Sequence, residues 1–440
     1  MILPESRIDH SYRGLLRVPS LRRVLASMMV ARIAQAMVGI AIVLFTLDEY
    51  DSPALAGVVT LAYLLPGMLV SPIAGALLDR HGRVRLIIVD YVVAASALAL
   101  IGVLALSGDL PAGLLVLIAG IASLTSILST TGLRSLFPIM VPKQLWERVN
   151  AVDSNGYVVA TILGPPIAAG LVAVVGGPTT LVLIAGLMLA ATLPLFGVRD
   201  PATATKGQSP LLRDAWEGVL YVWRNPTLRG LGFSISTLNI AGGVSTIAIP
   251  LLVLRQLGYS EAVVGLAFAV AGVTGMVSSA FFGRFDTRGR EWRLLVLPMA
   301  LTAPAIALLL PVAAAQPLGI DPVLGIVLIL ASQAGFGLLN GPLDIALFTV
   351  RQRRTDPAIM GRAFAVSMAA NFVGYPVGSA IAGVLAATSL VAPIWLGIVA
   401  CALATVFAAV LIPQRAPAAP MPASSLTAAA PGSEPLHPQP

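Results

Sequence analysis

The sequence predicts an all-α, polytopic membrane protein: twelve transmembrane helices arranged as two pseudo-symmetric six-helix bundles. Three observations carry the prediction. The composition is too apolar for water, the apolar residues fall into twelve runs of span length, and arginine is confined to alternate connections. Of the 440 residues 57% are hydrophobic and 11% charged, where soluble domains carry about 25% charge. Mean hydropathy is +0.91. A single core cannot enclose that much apolar side chain, so lipid must solvate the rest.

A hydrocarbon core of ~30 Å takes ~20 apolar residues of helix. Runs of that kind cover 24–47, 54–78, 86–107, 112–137, 151–175 and 178–198 in the first half. In the second they cover 231–254, 262–283, 294–315, 323–349, 363–387 and 391–412. Residues 1–23 form a basic N-terminal segment and 199–230 a linker. Residues 414–440, rich in Pro, Ala and Ser, read as a disordered tail. Within the linker, Leu211-Leu212, Ala215-Trp216, Val219-Leu220 and Val222-Trp223 recur at helical spacing. That pattern predicts an amphipathic helix on a membrane surface. Ala54-Leu55-Ala56 has the look of a signal-peptidase site. The run before it is long for a signal peptide and eleven further spans follow, so span 1 is expected to stay.

Orientation follows from basic residues, which remain on the cytoplasmic side. Alternate connections hold Arg80, Arg83, Arg85, Arg134, Lys143, Arg148, Arg213, Arg224, Arg284, Arg290, Arg293, Arg351, Arg353 and Arg354. The other set departs from that bias only at Arg255, beside Asp48, Glu49, Asp51, Asp109, Glu261 and Asp321, and Arg32 lies inside span 1. Both termini are therefore expected in the cytoplasm, of a bacterial cell with the chain in its inner membrane. The net charge of +7 is spread over these loops, so no nucleic-acid partner is expected. One cysteine (Cys401) and three scattered histidines (His10, His81, His437) give no disulfide and no metal site. No Gly-x-x-x-x-Gly-Lys loop and no catalytic set appears, so neither an enzyme nor a cofactor is expected.

The two halves repeat at an offset of about 207 residues. Gly39-Ile40-Ala41-Ile42 answers Thr246-Ile247-Ala248-Ile249, and Gly67-Met68 answers Gly275-Met276. Asp79, Gly82 and Arg83 answer Asp286, Gly289 and Arg290. Such duplication builds transporters with a site between the repeats near the midplane.

Between spans 2 and 3 stands Gly75-Ala-Leu-Leu-Asp79-Arg80-His81-Gly82-Arg83-Val84-Arg85. It resembles the signature loop of the major facilitator superfamily, and the resemblance covers 20–413. Gly75 suits close helix packing, Asp79 suits a helix N-terminus, and Gly82 suits a tight reversal. The second copy, Gly283-Arg-Phe-Asp286-Thr-Arg288-Gly289-Arg290, is degraded, its Gly standing three residues before Asp286 instead of four. The resemblance implies that Asp79 docks near Gly361-Arg362-Ala363 and latches the bundles. Gly164-Pro165-Pro166 and Gly170 in span 5 look like a weakened drug-antiporter motif, with Ala160 and Ala169 in place of two glycines. The drug/metabolite efflux branch of bacterial members is the nearest likeness. Span 4 lacks the early Arg of proton-coupled exporters.

The resemblance further implies that spans 1, 4, 7 and 10 line a central cavity. Their polar residues are then the expected substrate pathway: Arg32, Gln35, Ser126, Thr130, Ser236, Asn239, Gln333 and Asn340. Arg32 has two readings, a substrate ligand in the cavity or a structural partner of an acid. Arg134 and Asp344, at equivalent ends of spans 4 and 10, are expected to pair across the bundles in the outward-open state. Gly75, Asp79, Gly82, Arg83, Asp286, Gly289 and Arg290 complete the expected conformational set. Asp344 is the expected carrier if H+ is the coupling ion. The cavity spans are rich in Ser, Thr and apolar residues. That favours a secondary active transporter of a small organic solute by alternating access, in the direction of efflux of an amphipathic compound. Uptake of a small anionic metabolite and a non-transporting receptor on the same scaffold are the alternatives. The expected partners are the solute, the bilayer and H+ where transport is coupled, and the chain is expected to act as a monomer.

Overall fold

The computed structural model describes residues 12–198, 211–284, 289–314, 319–356 and 360–414. The expected tail, most of the N-terminal segment, the first part of the linker and Asp286 lie outside the described residues. The twelve spans are α1 (Leu21–Tyr50), α2 (Pro53–His81), α3 (Arg83–Ser107), α4 (Ala112–Met140), α5 (Trp146–Val175), α6 (Gly177–Thr192), α7 (Pro226–Leu251), α8 (Glu261–Phe282), α9 (Glu291–Ala307), α10 (Pro322–Arg353), α11 (Met360–Phe372 and Gly374–Ala386) and α12 (Val391–Leu411). All twelve are long and apolar enough to cross a bilayer.

Local chemistry sets the helix ends. Three helices start with a polar cap followed by proline. Ser52 Oγ accepts from Leu55 N–H at 3.2 Å, Asn225 Oδ1 from Thr227 N–H at 3.0 Å, and Asp321 Oδ1 from Leu324 N–H at 2.9 Å. The next residue is Pro53, Pro226 or Pro322, whose missing N–H costs nothing at that position. Most helices overrun the expected spans, because hydropathy reads the lipid layer and helices continue past it. α2 therefore carries Asp79 in its last turn, and the signature loop shrinks to Gly82 alone. Gly82 adopts φ 90°, a region reserved for glycine, and its N–H reaches Leu78 O at 3.1 Å. α7 begins at Pro226, inside the expected linker. α11 breaks at Val373, where Pro376 has no N–H to give the Phe372 carbonyl. In the linker, Leu211–Arg224 is helical and exposes Trp216 and Trp223.

Each half repeats one packing plan. α2 packs on α4 as α8 packs on α10, and α1 packs on α5 as α7 packs on α11. The halves meet through α2 against α11 and α5 against α8. Contact is closest at the end carrying the acidic loops. A Cβ on Gly57 would stand 2.4 Å from Ser379 O, one on Gly383 would stand 2.3 Å from Pro53 O, and one on Gly265 would stand 3.0 Å from Pro166 Cα. An Arg255–Asp51 ion pair crosses the halves at that same end.

Candidate functional site

In the N-terminal half, Arg32 of α1 is 4% exposed. Its Nη1 donates to the Asp153 main-chain O at 2.5 Å and its Nη2 to Asp153 Oδ1 at 2.5 Å. The guanidinium lies 3.7 Å above the centroid of Tyr157, one turn further along α5. Gly156 leaves room for it: a Cβ there would come within 3.0 Å of Arg32 Nη1. Arg134 of α4 approaches the same carboxylate at 3.6 Å and the same ring at 5.0 Å. One acid and one aromatic face thus serve two cations. Of the two readings of Arg32, pairing with an acid describes this conformation. Arg134 remains 57% exposed.

Above this cluster, Gln35 Nε2 donates to Ser129 Oγ at 3.2 Å, and Ser129 N–H approaches Asp90 Oδ2 at 3.3 Å. The three residues tie α1, α4 and α3 together. Gln35, Asp90, Tyr63 and Ser126 border a small cavity of about 20 Å³. Ser126 and Thr130 return their hydroxyls to the Ser123 and Ile127 carbonyls of their own helix.

In the C-terminal half, Asn239 Nδ2 donates to Asn371 O at 2.9 Å, and Thr246 Oγ1 meets Tyr375 Oη at 2.5 Å. Both bonds join α7 to α11. Ser236 sits where the two helices cross, since a Cβ on Gly374 would stand 1.7 Å from its carbonyl oxygen. Asn340 is half-buried and Asp344 exposed, whereas Gln333 is only 3% exposed and closed off in this conformation.

Another buried cation, Arg351, stands two turns beyond Asp344 on the same face of α10. It is 0% exposed. Nη1 donates to Met368 Sδ at 2.6 Å, and Phe348 and Phe364 lie 5.5 and 5.4 Å from the guanidinium. The Asn371 carboxamide, with its oxygen toward Arg351, accepts from Nη2 and donates to Ser367 O at 3.0 Å. Asp344 is the carboxylate that acts on it electrostatically, without reaching ion-pair distance.

Arg134 and Asp344 are not brought together here: Arg134 leans on Asp153, and Asp344 forms no ion pair among the described residues. From the signature, Arg83 Nε donates to Ser135 Oγ at 3.1 Å, fastening α3 to α4. Gly289 holds φ 74° and Arg290 is exposed. The side chains of Asp79 and Arg362 and the surroundings of Gly75 and Gly361 lie outside what the structure describes, and so does the expected latch.

Sequence reasoning missed Tyr157 and Arg351 as site residues. The Asp153-x-x-x-Tyr157 spacing, one helical turn, was the available signal for the first. The apolar run of span 10 ends at 349, which places Arg351 among the loop charges.

Two six-helix repeats, buried cations beside their interface and a tight seal at one end define a membrane carrier. The sequence profile of the Major Facilitator Superfamily matches residues 24–246 and 231–434, and the chain belongs to that superfamily. It is 34% identical over 411 residues to the uncharacterized MFS-type transporter y4rN of Sinorhizobium fredii, covering 93% of this chain and 99% of that one. It is 25% identical over 366 residues to the multidrug efflux pump Tap of Mycolicibacterium fortuitum, covering 79% and 85%. Among solved structures, the nucleoside transporter NupG superposes with TM-score 0.67 at 13% identity, covering 89% of this chain and 99% of that one. The chain is thus a multi-pass membrane transporter.

Proposed function

We propose that this chain exports a small amphipathic organic solute from a bacterial cell by alternating access. The observation that carries the reading is the asymmetry of the two ends. Close packing between the halves is concentrated at the acidic end (Gly57, Gly265 and Gly383) and is sealed by Arg255–Asp51. At the basic end Arg134 and Asp344 are exposed. With basic loops cytoplasmic, both termini lie inside and this conformation is inward-open. Gln35, Ser126, Thr130 and Asn340 are half-buried and Asp344 is exposed, and these are the residues assigned to the pathway. Two hydroxyls and two amides beside one carboxylate suit an amphipathic solute. Similarity to Tap over most of the chain supports export.

Closing the basic end would let Arg134 exchange Asp153 for Asp344. Asp344, exposed and without an ion pair among the described residues, is then the residue that H+ would load and unload. An exposed Arg134 also favours a second reading, uptake of a small anionic metabolite.

The test is flux in proteoliposomes with an imposed proton gradient, using a panel of fluorescent amphipathic dyes and small organic anions. Export predicts gradient-driven dye movement that Asp344→Asn slows at least tenfold. Movement of anions alone supports the uptake reading, and no flux of any solute with intact ligand binding would defeat transport itself.

A further inference from the structure

On the side of α10 away from the pathway, α8 and α9 both pack on α10 and leave a groove of about 480 Å³ between them. That volume lies within the ~300–1,000 Å³ typical of ligand pockets. Prolines shape it. Pro298 of α9 and Pro342 of α10 line the groove, and each removes one helical hydrogen bond. Pro342 frees the Leu338 carbonyl, which Ser278 of α8 takes at 2.6 Å. At that point of the floor the freed carbonyl is not left bare to hydrocarbon, where an unsatisfied group would cost several kcal/mol.

The walls are hydrocarbon: Phe281, Leu297 and Leu338 are each about half exposed. Leu338 and Pro342 lie about 200° around the helix from Asn340 and Asp344, so the groove opens to the bilayer and not to the pathway. A single charged residue, Arg293 in the first turn of α9, borders it. Arg284 and Arg290 are exposed at the neighbouring helix ends. None of the three forms an ion pair among the described residues, and Glu291 is taken by Arg353.

An apolar slot with three cations at headgroup depth matches one kind of molecule. We propose that the groove binds one anionic phospholipid, with an acyl chain between α8 and α9 and the phosphodiester at Arg293. A zwitterionic lipid would bring its ammonium toward the same cations, so charge favours the anionic headgroup.

The test is native mass spectrometry of the full-length protein, titrated with phosphatidylglycerol and with phosphatidylethanolamine of identical chains. The wild-type protein is expected to retain one phosphatidylglycerol several-fold more tightly than phosphatidylethanolamine. Arg293→Gln is expected to weaken phosphatidylglycerol about fivefold, the ~1 kcal/mol of one basic residue at an anionic surface, and to erase most of the preference. Leu297→Trp, which fills the slot, is expected to weaken both lipids. Equal binding of the two lipids by the wild type, or unchanged binding in Arg293→Gln, would overturn the proposal. Displacement of the lipid by glycerol 3-phosphate would too, since that marks a phosphate site with no use for the chain. If Leu297→Trp does not give monodisperse protein, Arg293→Gln decides alone, because it alters an exposed side chain.

Discussion

Arg32 in one half and Arg351 in the other are the most deeply buried guanidiniums among the described residues, and they are held by different chemistry. Arg32 is held by a carboxylate: Asp153 meets it at 2.5 Å through both its side chain and its main chain, over the Tyr157 ring. Arg351 has no carboxylate at ion-pair distance among the described residues, and rests in a cage of Phe348, Phe364, Met368 and Asn371. The first arrangement locks α1 to α5. The second ties α10 to the broken helix α11 through softer contacts, leaving Asp344 on the same helix exposed. Duplication has copied the helices and their packing, and divergence has rewritten their charges. The N-terminal half pairs its buried cation with a carboxylate, and the C-terminal half leaves its carboxylate exposed.

The largest expected effect lies in the first cluster. Asp153→Asn strands Arg32 as a buried unpaired charge, which costs ~3–5 kcal/mol. Thermal unfolding in detergent should show a sharp loss of stability. Adding Arg32→Gln should recover most of it, because both charges are then gone. An unaltered melting temperature in Asp153→Asn would mean that Arg32 does not depend on the Asp153 carboxylate.

Next comes the contrast between the two arginines. Arg32→Met leaves Asp153 buried with only the more distant Arg134, and should cost ~3 kcal/mol. Arg351→Met leaves no carboxylate stranded and puts a flexible apolar chain against two rings and a thioether, and should change stability by less than ~1 kcal/mol. Equal losses in the two variants would mean that the cage is an ion pair in disguise.

The smallest effect separates the two signature glycines. Gly82 sits at φ 90°, ψ 132° as the only residue between two helices, a conformation close to glycine-only. Gly82→Ala should cost ~2 kcal/mol. Gly289 sits at φ 74° in a longer connection, where Gly289→Ala should cost ~1 kcal/mol. Melting temperatures of the two variants side by side give the difference.

Much of the fold was legible because lipid imposes a simple rule: a span must be apolar for its whole length. Leu, Val and Ala runs reported every span, and arginine placement reported which ends share a side. The ends were less legible, since Arg351 and Asp79 continue helices that hydropathy terminates. The site was legible as an inventory and not as a set of partners. Arg32 and Asp153 are 121 positions apart in sequence, and nothing local in either helix says that they meet. Tyr157 looked like one aromatic among apolar residues until α5 turned it under two guanidiniums. Asn239 pointed to α11 only once the break at Val373 exposed how α7 crosses it.

In the transport cycle proposed above, the halves rock about their interface and the two ends open in turn. Paired spin labels test it most directly, on Arg85→Cys with Arg290→Cys at the basic end and Asp109→Cys with Glu261→Cys at the acidic end. Cys401 is buried and leaves these sites as the reporters. Double electron–electron resonance should give two distance populations at each end, and any condition that shortens the basic-end distance should lengthen the acidic-end one. A single, unmoving distance at both ends, in lipid and across pH and added solute, would contradict it.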